Sequence, residues 1–185
     1  MASAKDVARV FEYLGLQAEG TPITNTRLNK LLFYAQGHAL ATFGRALFSN
    51  QIDAWNHGPV VAVVYKSYET IVTKAEEEGL AGIDLSPEEM DVILDVWNQY
   101  QGYTAKDLVD MTHEPGTPWT ETYKPNEKNL HISLDLIKQF FEKPENKLNH
   151  ALSGLEKLQT ETALPADEYD PDEDATWEAL LNDAK

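Results

Sequence analysis

Cysteine is absent from all 185 positions. That removes disulfides, thiolate metal sites and cysteine nucleophiles together, and it fits a reducing compartment. Long apolar runs are absent too. None approaches the roughly 18–20 residues that a membrane span needs. The N-terminal stretch Met1 to Leu16 is amphipathic rather than continuously apolar, unlike a signal peptide. Basic residues are scarce, with 15 Lys and Arg against 31 Asp and Glu and a formal charge of −16. Phosphate neutralisation requires clustered Lys and Arg, so direct nucleic-acid binding is disfavoured over both halves of the chain. Solubility and a basic protein partner are the two uses of such a charge. The expectation is a soluble, cytoplasmic protein.

What is present reads as helices with clear punctuation. Val7, Val10, Phe11 and Leu14 share one face of a first helix, from about Lys5 to Leu14, with Ser3 as cap and Gly15 as stop. A second helix begins near Thr24 or Asn25, carries Leu28, Leu31, Leu32, Ala35, Ala39 and Phe43 on a wide stripe, and ends at Gly44. Leu47 to Trp55 reads as extended chain and Asn56-His57-Gly58-Pro59 as a turn. The following valines conflict. Propensity favours a strand over Val60 to Tyr65, whereas the spacing of Val60, Val64, Tyr65, Tyr68 and Val72 favours a helix, and the helix is preferred. Ser86-Pro87-Glu88-Glu89 opens another helix with a capping box, and Thr104 caps a short one after it. A proline-rich loop follows, then helices over Ser133 to Glu142 and Pro144 to about Leu158. The expected fold is mainly α and compact, with a small β element near residues 47–55.

Composition divides the chain at about residue 159. Residues 161–185 hold nine of the acids and a single base, half of the net charge, so residues 160–185 are expected to form an acidic, largely disordered tail after a helical domain over 1–159. Trp177, Leu180 and Leu181 group on a final short helix in that tail. They suit either helix-in-groove binding to a partner or docking back on the domain.

Enzyme signatures are missing: no glycine-rich phosphate loop, HExxH or GxSxG elbow occurs. Asp110 and His113 have an i, i+3 spacing that two metal ligands can use. The further ligands are unassigned, and a histidine at its helix C-terminus is the plainer role, so no metal or cofactor is expected. A histidine side chain can serve as a general base near neutral pH, but no nucleophile or orienting carboxylate can be assigned to His57. A structural turn residue is preferred. The many aromatics lack the interleaved bases that nucleobase stacking uses, so core packing or protein contact is expected of them.

The order of these residues is more specific than any one of them. Lys30-Leu31-Leu32-Phe33-Tyr34-Ala35-Gln36-Gly37, then Phe43-Gly44-Arg45, Leu47-Phe48, Ala54-Trp55-Asn56-His57-Gly58-Pro59-Val60 and Val64-Tyr65 resemble the Panacea domain of SocA-like and GepA-like phage-associated antitoxins. Ala105, Leu108, Thr112-His113 and Pro118-Trp119 resemble its second block, so the likeness runs from about Val7 to Tyr123. At His38 the chain departs from the pattern, where tryptophan is often seen. The resemblance implies a non-enzymatic antitoxin that sequesters a cognate toxin by direct contact, covering its active or substrate-binding surface. A toxin with a basic RNA- or nucleotide-binding site would suit the charge. One family member is instead an adaptor that delivers its toxin to a Clp protease, which is the alternative. The family residues carried over are Lys30, Tyr34, Gln36, Gly37, Arg45, Trp55, His57, Gly58, Pro59, Tyr65, His113 and Trp119, as shaping or toxin-binding positions.

Overall fold

The computed structural model describes residues 2–128 and 130–148. Trp177, Leu180 and Leu181 lie outside the described residues, as does the part beyond Leu148 of the helix expected over Pro144 to about Leu158, whose start is instead a 3₁₀ turn over Pro144–Asn146 followed by extended backbone at Lys147. The chain is mainly α with one small sheet, as expected. In order it forms α1 (Ala4–Glu19), α2 (Asn25–Phe43), β1 (Asp53–Trp55), β2 (Gly58–Val60), α3 (Ala62–Tyr65), α4 (Tyr68–Glu78), α5 (Pro87–Tyr100), α6 (Ala105–Thr112), α7 (Pro118–Thr122), α8 (Leu134–Phe141) and a 3₁₀ turn (Pro144–Asn146).

Capping chemistry sets most of the starts. Ser3, Thr24 and Ser133 each accept a backbone N–H in the first turn of their helices, and Ser86 and Thr104 form reciprocal capping boxes with Glu89 and Asp107. The expected stop at Gly15 is not used. Helix α1 runs on to Gly20, whose φ of +74° ends it in the left-handed conformation. Gly15 instead lets Ile23 close on the helix, since a Cβ there would lie 2.6 Å from Ile23 Cγ2.

The conflict over the valines resolves into two elements. Val60 ends β2, and the helix starts at Ala62, breaks near Ser67 and resumes at Tyr68. Both signals were sound, each for its own neighbour. Pro59 sits in β2 opposite Ala54, not in a first helical turn. With no N–H to contribute, it is tolerated on an edge strand. The other side of β1 is covered by a later segment, through Ala54 N–H to Leu130 O and Ile132 N–H to Ile52 O.

Helix α2 is the centre. It touches α1, α3, α5, α6, α8 and β2, and every residue from Thr26 to Leu40 is buried. Its leucines meet Val7, Val10 and Phe11 of α1 and Ile93, Val96 and Trp97 of α5 in one core. Its polar residues are buried as well, so each needs a partner. Arg27 donates to Glu19 at 2.7 Å and to the Gln101 carbonyl at 2.6 Å. Asn29 takes the Val61 N–H through Oδ1 at 2.9 Å, which fixes the chain as it enters α3. Gln36 accepts from the Leu47 and Phe48 amides and donates to the Phe48 carbonyl, clamping the loop after α2. His38 meets the Tyr100 hydroxyl at 3.3 Å and packs edge-on against Phe141.

Glu12 of α1 is the costly member of this interior. It is fully buried; Oε2 accepts the Ile23 N–H at 3.2 Å, and Oε1 has no hydrogen-bond partner among the described residues. Burial pushes its carboxyl up to about 8, opposed by the Ile23 amide and the Arg27 guanidinium and aided by Glu19 and Glu76. The folded chain therefore holds a proton that the unfolded chain releases near 4.5. Its contribution to stability is complete below that value and is lost as pH rises toward 8, at about 1.4 kcal/mol per pH unit. Glu12→Gln is expected to remove that slope. Urea unfolding from pH 5 to 8.5 should show the variant gaining on the parent chain as pH rises, and parallel curves would refute the assignment.

Candidate partner-recognition site

Two parts of the chain far apart in sequence meet at the β1–β2 turn. The hairpin pairs Trp55 with Gly58 across the two residues Asn56 and His57. Gly58 has φ +107°, and a Cβ on it would lie 2.6 Å from Lys30 Cε and 2.9 Å from Thr112 Oγ1. Both the backbone conformation and the space demand glycine. Lys30, fully buried on α2, donates to the Pro59 carbonyl at 3.2 Å from beneath.

The second part closes over this turn from α6 and α7. Trp119 donates its indole N–H to the Trp55 carbonyl at 2.7 Å. His113 and Trp119 stack at 3.9 Å, and Trp119 and Tyr123 stack at 4.5 Å. The Tyr123 hydroxyl then donates to Asn56 Oδ1 at 2.8 Å, and Asn56 lies 3.3 Å from His57 Nε2. On the opposite flank Trp55 meets Tyr65 edge-on at 5.3 Å, and with Val60 they form a small apolar cluster apart from the main core. Asn25 at the start of α2 donates to the Tyr65 carbonyl.

Of the sequence-selected residues, Lys30, Trp55, His57, Gly58, Pro59, Tyr65, His113 and Trp119 thus share one neighbourhood. The others do not. Gln36 clamps the Leu47–Phe48 loop, and Gly37 gives up its Cβ space to the Phe141 ring, whose nearest atom would lie 2.1 Å away. Arg45 pairs on the surface with Glu88 at 3.0 Å and Glu89 at 3.5 Å. Tyr34 stacks on Tyr100 at 4.2 Å, on the other side of α6. Asn29, Asn56, Thr112 and Tyr123 hold the arrangement and were not selected. Asn56 and Thr112 lie within the family-motif blocks, and Tyr123 had a signal as an aromatic four residues after Trp119.

The electrostatics suit a fixed surface better than proton transfer. Burial first, then Lys30 and His57, hold His113 below the usual imidazole range, while Asp110 opposes. His113 is therefore neutral at physiological pH, and its Nε2 is shielded without a hydrogen-bond partner among the described residues. Asp110 bonds the Lys106 ammonium, and His113 caps α6 through its backbone. No group of three or more His, Asp or Glu side chains converges among the described residues, so the Asp110–His113 pair gains no third ligand. What the geometry offers is a braced turn, with Trp119 and Tyr65 buried, Trp55, His57, His113 and Tyr123 half-buried, and Asn56 exposed at its tip.

The chain matches the family described as antitoxin SocA-like, Panacea domain, over residues 28–120, the span from α2 through α7 that builds this neighbourhood. It is also similar to the protein named antitoxin SocA of Caulobacter vibrioides (strain NA1000 / CB15N), 31% identical over 125 residues. That alignment covers 61% of this chain and 66% of the relative, just under two thirds of the relative's length. No solved structure matches. Gly58→Ala should lose roughly 2 kcal/mol or more of folding stability, because the methyl meets both an unfavourable φ and the Lys30 side chain. The midpoint of urea unfolding reads this, and an unchanged midpoint would mean that the turn is not held as described.

Proposed function

This chain belongs to the SocA-like, Panacea-domain antitoxin family, and on that premise we propose that it is the antitoxin of a toxin–antitoxin pair, neutralising a cognate protein toxin by direct contact. The family match over residues 28–120 carries the reading. The braced hairpin supports it physically, since a surface whose loops are already ordered gives up little further conformational freedom on binding. Contact is proposed to cover the toxin's active or substrate-binding surface, with no bond made or broken by the antitoxin and no cofactor required.

Charge supports a particular kind of target. A chain of net charge −16 is attracted to a basic surface such as an RNA- or nucleotide-binding site, and it competes there with the toxin's anionic substrate. Such complementarity accelerates encounter more than it strengthens the final complex. The same charge opposes direct nucleic-acid binding, and no helix among the described residues is long and apolar enough to cross a membrane. The cytoplasm, where RNA and nucleotides are met, is the proposed compartment.

A second reading, delivery of the toxin to a Clp-type protease, rests on the acidic segment 161–185 as a tether. Co-expression with the product of the neighbouring reading frame tests both. Restored growth with a stable toxin is expected, and deletion of residues 161–185 should leave neutralisation intact. A toxin whose half-life shortens only when those residues are present would establish the adaptor instead. Association with the toxin is expected to slow by about tenfold or more between low and high salt. A rate flat across that range would remove the electrostatic part of the proposal.

A further inference from the structure

Behind the hairpin, on the other side of α6, lies a cleft of about 180 Å³. Four elements bound it: α2, the end of α5 with its following loop, the end of α6, and α8 with the 3₁₀ turn. Its sides are aromatic. Tyr34 and Tyr100 stack at 4.2 Å, Tyr103 follows 6.2 Å from Tyr100, and Phe140 faces in from α8. Tyr103 is 42% exposed, unusual for so large a ring in a chain whose other aromatics are mostly packed away. Among the described residues, the charged ones in the lining are Glu114 and Glu145, both exposed, with no lysine, arginine or histidine beside them in it.

Aromatic faces carry negative electrostatic potential, and two carboxylates add to it. Burial foremost, with Tyr100 and Glu114 adding to it, holds the Tyr34 phenol above its usual range. A cation already sits on one of these rings, the Lys143 ammonium lying 5.6 Å from the Phe140 centroid. Size narrows the occupant. A cavity of about 150 Å³ holds one benzene ring, so this cleft has room for a single long side chain. A planar guanidinium that stacks on tyrosine and bonds carboxylates fits better than a compact ammonium.

We propose that the cleft between Tyr34, Tyr103, Phe140, Glu114 and Glu145 is a receptor for one arginine side chain presented by the basic surface of the toxin. This rests on the antitoxin reading and gives it a specific anchor, since a buried arginine is a common centre of binding energy in protein interfaces.

The cleft can be tested without the toxin. Titration of the full chain with N-acetyl-arginine amide, followed by amide NMR, should give saturable shifts at Tyr103, Met111 and Asn146. The uncharged isostere N-acetyl-citrulline amide should bind at least tenfold more weakly. Tyr103→Ala and the double variant Glu114→Gln/Glu145→Gln alter exposed side chains and should keep the fold, while each weakens the arginine response at least threefold. No saturable response, an equal response to citrulline, or shifts confined to another face would overturn the proposal. With the neighbouring toxin in hand, Tyr103→Ala should raise the dissociation rate of the complex about tenfold, and an unchanged rate would also overturn it. A parent chain that binds arginine in the cleft yet neutralises nothing would strike the antitoxin reading while supporting the cleft's chemistry.

Discussion

A central helix buried along fifteen consecutive residues can contain arginine, lysine, asparagine, glutamine and histidine only if the surrounding chain supplies their hydrogen bonds. Helix α2 meets that condition by drawing segments from several parts of the chain onto its polar side chains. Arg27 holds the end of α5, Asn29 the entry to α3, Lys30 the hairpin, Gln36 the loop at Leu47–Phe48, and His38 the Tyr100 hydroxyl. These segments carry little regular structure of their own. Their positions therefore depend on α2, and losing one α2 partner leaves a buried polar group exposed to its full desolvation cost.

The hairpin shows how this constraint reaches the surface. Lys30 and Gly58 pack so closely that no side chain fits at Gly58, and the stacked rings of His113, Trp119 and Tyr123 seal the same turn from outside. Thr112 is shared by both faces of α6. Its hydroxyl abuts Gly58, and the residue lines the aromatic cleft behind. The hairpin and the cleft thus lie on two sides of one short helix, which ties the hairpin mechanically to the α6–α7 residues.

Charge acts at a longer range and on a different step. The acidic excess is spread over the body and the C-terminal segment, where salt screens it and individual pairs contribute little. Lys106–Asp110 and Arg45–Glu88 are exposed pairs of this kind. Complementary charge in general speeds encounter, whereas ordered short-range contacts set how long a complex lasts.

Helix starts were legible because a capping serine or threonine acts within one turn, and Ser3, Thr24, Ser86, Thr104 and Ser133 were each readable from neighbours three residues away or less. The mainly helical fold and the importance of the Trp55–Pro59 turn were legible for the same local reason. Periodicity failed where polar residues are buried, since it showed one apolar stripe on α2 and could not reveal that Arg27, Asn29, Lys30 and Gln36 point into the protein too. It failed again at Gly15, read as a stop when a distant Ile23 needed the space. The sequence by itself determined the mainly helical class, most helix starts and the charge, but it read a loop where α7 forms and a helix where the 3₁₀ turn Pro144–Asn146 forms. Only the tertiary structure decided which carbonyl each buried side chain would meet, and that Tyr34, Tyr103, Glu114 and Glu145 would surround one space. Such pairings depend on distances between residues from about a dozen to more than a hundred positions apart, and no local propensity encodes them.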